Sequence, residues 1–424
     1  MSSFYYSKKD KEIFIYSTFE SYQFNDTSAL IFEKMIAGES QEEIIKAIAN
    51  EYDVDPRELD ADVKDTIAHL ISLGISTEKI TSFQPENEFE KIAHNFYPHT
   101  PIVHIIQNCN SPCKMCDCWL TKQKVFHKAS SLKPFFKKMK ELGATSIMLS
   151  GGEPLLHPEL QQIIIDVKIE NLQVMLNTNG LLLHKNMWLT QQNIEQVVVS
   201  MDGYDPSTYK EVRGLNGHDL VWTNLKNFKR LSPSSKIGIR TILTKRNFNK
   251  MDLIIRDVEE NGLHSVGMSP ADVSSHSFSR ERMDNTREDD QISLLLPSEE
   301  EIINFLEIFK EGDGYYEKIK KYYERGLCSW GPEEFIQCML FYLRLHKRKK
   351  SFYPNTPCSF PSTSLVLDYN GDLKNCFYSE SFGNLYSFQS VDWSFKESVK
   401  KLKESQKCTN CRGQVFCGLE KQRL

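Results

Sequence analysis

Cys109-Asn-Ser-Pro-Cys113-Lys-Met-Cys116 constrains this chain more than any other stretch, because it places three thiols on one tight loop directly after the apolar run Ile102–Ile106. Three thiolates can hold a four-iron cubane and leave its fourth iron without a protein ligand. A zinc knuckle completed by Cys118 is the alternative, although zinc sites more often split their ligands into two pairs separated by a longer loop. Of the 11 cysteines, four fall between 109 and 118 and five between 358 and the end. In a reducing compartment clustered cysteines favour metal or redox chemistry over disulfides. The N-terminus, Met1-Ser-Ser-Phe-Tyr-Tyr-Ser-Lys, lacks a secretory apolar core, and no apolar run approaches the ~20 residues that span a bilayer. A cytoplasmic location without membrane partners is therefore expected. The formal net charge of −5 gives no electrostatic reason to expect nucleic acid.

From Pro101 onward short apolar runs alternate with amphipathic segments. The runs are Ile102–Ile106, Ser146–Leu149, Leu172–Leu176, Ile194–Val199, Ile237–Leu243 and Ser265–Met268. Six such alternations over about 200 residues predict an α/β fold with a parallel sheet closed into a partial (β/α)6 barrel. Chemistry in such barrels sits at the C-terminal ends of the strands. The polar motifs lie there: the cysteine loop after the first strand and Gly151-Gly152-Glu153-Pro154 after the second. Asn177-Thr178-Asn179-Gly180 follows the third, and Ser200-Met-Asp202-Gly203, with Arg213-Gly214 beyond, follows the fourth. Any one of these alone reads as an ordinary turn; the set is hard to obtain from a structural barrel.

Together these motifs resemble the radical S-adenosylmethionine (radical SAM) superfamily over roughly residues 100–270. The resemblance implies a [4Fe-4S] cluster on Cys109, Cys113 and Cys116, with S-adenosylmethionine chelating its open iron. Reductive cleavage of the C5′–S bond then gives an adenosyl radical that abstracts hydrogen from unactivated C–H bonds. It further implies that Gly151, Gly152 and Glu153, with Pro154 beside them, hold the methionyl amino group, and that Ser200 and Arg213 are candidates for its carboxylate. The residue before the third cysteine, often aromatic in the family, is Met115 here, which can still pack on the adenine face; Trp119 is an alternative wall. An electron donor such as flavodoxin or ferredoxin is an implied partner.

Cys358, Gly371, Cys376 and the run Cys408-x2-Cys411-x5-Cys417 resemble the auxiliary-cluster extensions called SPASM and twitch. That likeness implies at least one auxiliary [4Fe-4S] cluster, with Cys358, Cys376, Cys408 and Cys411 as ligands and Cys417 spare or substituting. The further cysteine of the full SPASM pattern is Lys421 here, and zinc on the same residues is the alternative. Asp368-Tyr-Asn-Gly-Asp between Leu365–Leu367 and Leu373 predicts a hairpin. Cys328 and Cys338 lie in helical stretches and read as packed thiols.

At the other end, Phe4-Tyr5-Tyr6 and Ile13–Tyr16 read as short strands, and three helices follow from Asn25, Gln41 and Asp55. Phe24-Asn-Asp-Thr-Ser-Ala-Leu-Ile-Phe, Glu42-Glu-Ile-Ile and Tyr52-Asp-Val-Asp-Pro resemble the leader-peptide recognition element of ribosomal peptide-modification pathways, a relative of the pyrroloquinoline-quinone peptide chaperone. The acidic character of this region disfavours a DNA-binding role.

The sequence thus predicts a winged-helix-like α+β domain over 1–85, a linker over 86–100 and the radical SAM barrel over 101–297. Its last stretch, 272–297, is polar and reads as a surface loop; a helical bridge over 298–357, with helical stretches Ser298–Arg325 and Pro332–Lys350, and a cysteine-rich auxiliary-cluster domain over 358–424 complete the chain. The expected function is maturation of a ribosomally made precursor peptide whose leader binds the N-terminal domain, by an oxidative thioether or carbon–carbon cross-link. Epimerisation, maturation of a folded protein, and a zinc-binding regulatory protein without turnover stand as alternatives.

Overall fold

The computed structural model describes residues 4–7, 12–15, 20–72, 99–271, 273, 292–346, 365–377 and 379–390. Cys358, Cys408, Cys411 and Cys417 fall outside these, as do residues 86–98 of the linker and most of the polar stretch 272–297. The described residues belong to two compact units, one within residues 1–90 and the other from residue 91 onward.

In the first unit an antiparallel sheet, β1 (Phe4–Ser7), β2 (Glu12–Ile15) and β3 (Glu20–Gln23), precedes three helices, α1 (Asp26–Ile36), α2 (Gln41–Tyr52) and α3 (Pro56–Ser72). Asn25 caps α1 by accepting from Ser28 N at 2.8 Å. Ser40 and Glu43 form a reciprocal capping box that starts α2. Helical spacing then turns Ile31, Phe32, Met35, Ile44, Ile45, Ile48, Val63 and Leu70 into one buried cluster. The helices fall where their caps and periodicity predict; β3 has no comparable apolar signature and sequence alone did not reveal it.

The second unit is built on a sheet that has nine strands among the described residues. Its centre is six parallel strands in sequence order: β4 (Ile102–Ile106), β5 (Ser146–Gly151), β6 (Gln173–Thr178), β7 (Gln196–Ser200), β8 (Lys236–Leu243) and β9 (Val266–Pro270). The crossovers carry α4 (Ala129–Glu141), α5 (Leu160–Ile169), the pair α6 (Pro206–Arg213) and α7 (His218–Leu231), and α8 (Met251–Glu260). Between β6 and β7 only two short 3-10 turns intervene. This is the α/β partial-barrel architecture expected from the alternation.

The strands have one fully buried face, carrying Val103, Ile105, Ile147, Leu149, Val174, Leu176, Val197 and Val199. The other face, with His104, Met148, Ser150, Asn177, Val198, Ser200 and Arg240, is only half-buried. Period-2 alternation thus separates a packed exterior from a more polar interior.

Two readings are corrected. Residues 298–325 are not one helical stretch: α9 (Glu299–Ile308) and α10 (Gly314–Glu324) are separated at Gly312, whose φ is +93°, and Asp313 caps the second. The end of the 272–297 stretch is not a surface loop, for residues 292–295 make a helical turn and Ile292, Leu295 and Leu296 are buried. Its apolar residues were masked in the sequence by the polar run before them.

Helix α11 (Pro332–His346) buries Cys338, and Cys328 is buried beside β9. The hairpin at Asp368 forms as β10 (Val366–Leu367) and β11 (Asp372–Lys374), followed by β12 (Ser381–Asn384). Beyond that local pairing, β10 joins β4 in parallel, extending the barrel sheet from its first strand.

Candidate functional site

The cysteine loop is pinned at both ends. Gln107 N donates to Val125 O at 2.9 Å, and His127 N to Ile105 O at 3.0 Å. Asn108 donates through Nδ2 to Thr121 O and Gln123 O at 3.0 and 2.9 Å and accepts from Val125 N at 3.0 Å. Residues 109–120 are therefore a closed excursion from the end of β4.

Within it Cys113, Met115 and Cys118 are buried, Cys109 and Cys116 half-buried, and Trp119 is 41% exposed. Donors converge on the sulfurs. Arg213 Nη1 lies 3.5 Å from Cys113 Sγ, Ser111 Oγ 3.2 Å from the same atom, and Asn179 Nδ2 3.8 Å from Cys109 Sγ. Cys118 N donates to Cys116 Sγ at 3.5 Å. Burial pushes the Cys109 thiol up to about 12, aided by Glu153 and by the Cys113 and Cys116 sulfurs. Burial raises Cys113 as well, against the pull of Arg213. Three soft donors of this kind fit an iron–sulfur cluster, because iron charge offsets the cost of ionising buried thiols. Among the described residues no three His, Cys, Asp or Glu side chains are close enough to share one metal ion.

The Gly-Gly-Glu-Pro turn is docked on the other side of β4's end. Gly152 N donates to Ile106 O at 2.7 Å and Glu153 N to Asn108 O at 2.8 Å. A Cβ on Gly152 would meet Gln107 O at 2.1 Å and Asn108 O at 2.3 Å, so only glycine permits this approach. Glu153 is fully buried and accepts from Leu155 N at 3.0 Å, Thr178 Oγ1 at 2.7 Å and Asn179 N at 2.7 Å. Burial raises its carboxyl above the ordinary range, while those donors and Arg213 pull it back. Pro154 opens a 3-10 turn directly after it.

Ser200 ends β7, in register with Arg240 of β8. Arg213 ends α6, and its Nε lies 2.5 Å from Oδ2 of fully buried Asp202. Burial works against the guanidinium charge, but Asp202 and then Cys113 outweigh it and hold Arg213 protonated. Gly214, at φ +78°, terminates α6 against Pro112 of the cysteine loop.

The structure thus gathers Cys109, Cys113, Cys116, Glu153 and Arg213 around one strand end, with Gly151 and Gly152 beneath. Asp202, Asn179, Thr178 and Ser111 join them without having been assigned roles from sequence. All four stood inside the quoted motifs, but no linear pattern there pairs Asp202 with Arg213. Cys376 is buried at the end of the β10–β11 hairpin, its N–H donating to Ser379 Oγ at 3.1 Å; the other four C-terminal cysteines lie outside the described residues.

Residues 103–258 match the model of the Radical SAM superfamily, and residues 15–75 that of coenzyme PQQ synthesis protein D (PqqD). A probable GTP 3′,8-cyclase of Sulfurisphaera tokodaii is 32% identical over 148 residues, covering 32% of this chain and 45% of that protein. The chain spans less than half the length of the curated relatives it matches. Two solved structures of SuiB from Streptococcus suis share its fold. One, bound to precursor peptide SuiA, is 15% identical with a TM-score of 0.50, covering 99% of this chain and 94% of that one. The other is 14% identical with a TM-score of 0.51, covering 94% and 89%. No described helix is long and apolar enough to cross a membrane. The motifs gathered at the end of β4 lie within the stretch that matches the Radical SAM superfamily, and the PqqD-like match precedes it in the chain.

Proposed function

We propose that this protein modifies the core of a ribosomally made precursor peptide whose leader binds the PqqD-like domain. The observation carrying this reading is the presence, in one chain, of a PqqD match over residues 15–75 and a radical SAM match over 103–258. The SuiB fold, solved with a precursor peptide, supports it. β1 and β3 are the edges of their sheet, and an extended leader can add to such an edge as a further strand. Docking there raises the effective concentration of the attached core at the barrel.

In this reading Cys109, Cys113 and Cys116 ligate a [4Fe-4S] cluster. Gly151, Gly152 and Glu153 receive the methionyl amino group of S-adenosylmethionine, and Ser200 and Arg213 face its carboxylate. Met115 supplies apolar surface to the adenine. When bound, cluster and cosubstrate supply a 5′-deoxyadenosyl radical that takes hydrogen from an unactivated carbon. The chain's own part is positional. Glu153 is fixed by Thr178, Asn179 and Leu155, and Arg213 is oriented by Asp202 while donating toward Cys113. Cys358, Cys376, Cys408 and Cys411, with Cys417 spare or substituting, would hold an auxiliary cluster, and that group would supply one-electron redox chemistry for an oxidative cross-link. The protein works in the cytoplasm with an external electron donor.

The test uses anaerobically reconstituted protein, a reductant and a precursor peptide encoded beside its gene. Formation of 5′-deoxyadenosine together with loss of two hydrogens from the peptide supports the cross-link. An unchanged peptide mass with deuterium incorporation from solvent would replace it with epimerisation. No 5′-deoxyadenosine under any reducing condition would overturn the reading.

A further inference from the structure

Tyr209 stands on α6 one turn before Arg213, on the same face of the helix. Its side chain is fully buried, and its Oη has no hydrogen-bond partner among the described residues. A phenol O–H taken out of water and left unpaired is destabilising, and a native protein that keeps one calls for an acceptor from outside the chain's own contacts. Burial pushes the Tyr209 phenol up to about 12, so the group keeps its proton and is a donor.

The ring is held on several sides. A Cβ on Gly203 would meet Tyr209 N, Cα and Cβ at 2.2, 2.4 and 2.6 Å, and one on Gly217 would meet Cε1 at 3.1 Å. His218 meets the ring edge-on, with centroids 6.1 Å apart. Trp222 Nε1 donates to His218 Nε2 at 3.3 Å, so the imidazole carries its proton on Nδ1, 2.8 Å from Asp219 Oδ1. Neither nitrogen is left for the phenol. The charges that act on the phenol are those of the site: Arg213 first, then Cys113, Asp202 and Glu153. Both carboxylates already accept from the chain, Asp202 from Ile242 N at 2.7 Å and from Arg213, Glu153 from Leu155 N, Thr178 Oγ1 and Asn179 N. Sulfur is the acceptor that remains.

We propose that Tyr209 donates a hydrogen bond to a sulfur of the iron–sulfur cluster held by Cys109, Cys113 and Cys116, and thereby raises its reduction potential. The inference rests on the reading above, in which those cysteines hold a cluster. Thiolates and inorganic sulfides gain negative charge when the cluster takes up an electron, so a donor aimed at them favours the reduced form. Arg213, one turn further along α6, already donates toward Cys113, and Tyr209 adds a neutral donor from the same helix face.

The experiment is a redox titration followed by electron paramagnetic resonance, on reconstituted parent and Tyr209→Phe without S-adenosylmethionine. The barrel's signal is the one that disappears when Cys109, Cys113 and Cys116 are replaced by alanine. Tyr209→Phe is expected to bind as much iron as the parent. Its reduced-to-oxidised ratio at a fixed donor potential is expected to fall about tenfold, a shift of about 59 mV for one electron. Pulsed spectra of the reduced cluster in H2O and D2O are expected to show one exchangeable-proton coupling in the parent that the variant lacks. An unchanged potential and an unchanged coupling would overturn the proposal. An unchanged potential with weaker S-adenosylmethionine binding would overturn it in favour of a contact to the cosubstrate, and loss of iron from the variant in favour of a merely structural role. A parent that assembles no cluster at all would remove the functional reading beneath it, and the proposal with it.

Discussion

Arg213 donates toward Cys113, with Nη1 3.5 Å from Sγ, although 100 residues separate them in sequence. The same guanidinium is neutralised by Asp202, so Arg213 links the cysteine loop to the end of β7 through one buried charge pair. Arg213→Ala leaves Asp202 buried and unpaired, which costs about 3–5 kcal/mol. Thermal unfolding is expected to show that loss. Asp202→Asn/Arg213→Met is expected to recover most of the stability without restoring S-adenosylmethionine cleavage. Recovery of both would reduce the pair to a structural role.

Gly152→Ala forces a methyl group onto Gln107 O and Asn108 O, and neither backbone atom can move without disturbing the residues leading into Cys109. The expected result is at least about a hundredfold loss of 5′-deoxyadenosine formation, the scale on which ångström misplacements act. Folding of the first unit, followed by circular dichroism of the isolated transition, should be untouched. An alanine variant with parental turnover would contradict the docking of this turn.

Two buried histidines, His127 and His157, and the half-buried His104 are held below their ordinary value. Burial depresses His104 to about 4, and burial likewise lowers His127 and His157. His127 is locked between Tyr386 Oη at 2.9 Å and Asp368 O at 2.8 Å; the carbonyl must accept from Nε2–H, so Nδ1 accepts from the tyrosine. Such groups are neutral when folded and bind a proton on unfolding in acid. Their contribution is complete above about pH 6.5 and is lost as pH falls toward the folded values. Melting temperature is expected to drop from pH 7 to pH 5, with a shallower slope in His104→Gln. A slope unchanged by that substitution would remove His104 from the account.

Ser40→Ala removes one half of the α2 capping box, leaving Glu43 N without its acceptor. A cost of about 1 kcal/mol in the first unit is expected from urea titration. Cluster content of the second unit, read from its iron-to-protein ratio, should not change.

Substituting Cys109, Cys113 and Cys116 together by alanine is expected to abolish the iron bound by the barrel and all cleavage of S-adenosylmethionine. Iron retained at Cys376 and its C-terminal companions would then be seen alone. Parental cleavage in this triple variant would sink the assignment of the loop.

Legibility in the sequence followed the range of the interactions. Helices α1 and α2 were readable because Asn25 and Ser40 cap them locally, and the parallel strands because alternating apolar runs report a buried face. The cysteine loop and the Gly-Gly-Glu-Pro turn were readable because their spacing is short. Asp202 was quoted but left without a role, since its partner lies across a helix and nothing in a linear pattern pairs a strand-end acid with a helix-end base. The break at Gly312 was hidden by continuous amphipathic character on either side. The junction of β10 with β4 was invisible for a different reason: hydrogen bonds between Leu365 O and Ile102 N leave no trace in either segment's composition.

That junction bears on how the protein is made. β4 has β5 on one side and β10 on the other, so the strand feeding the cysteine loop keeps an open flank until residue 367 has emerged from the ribosome. Translation must run more than 250 residues past Cys109 before its supporting strand is fully bonded. Nascent chains stalled before the hairpin therefore present a sticky strand edge to chaperones and to one another.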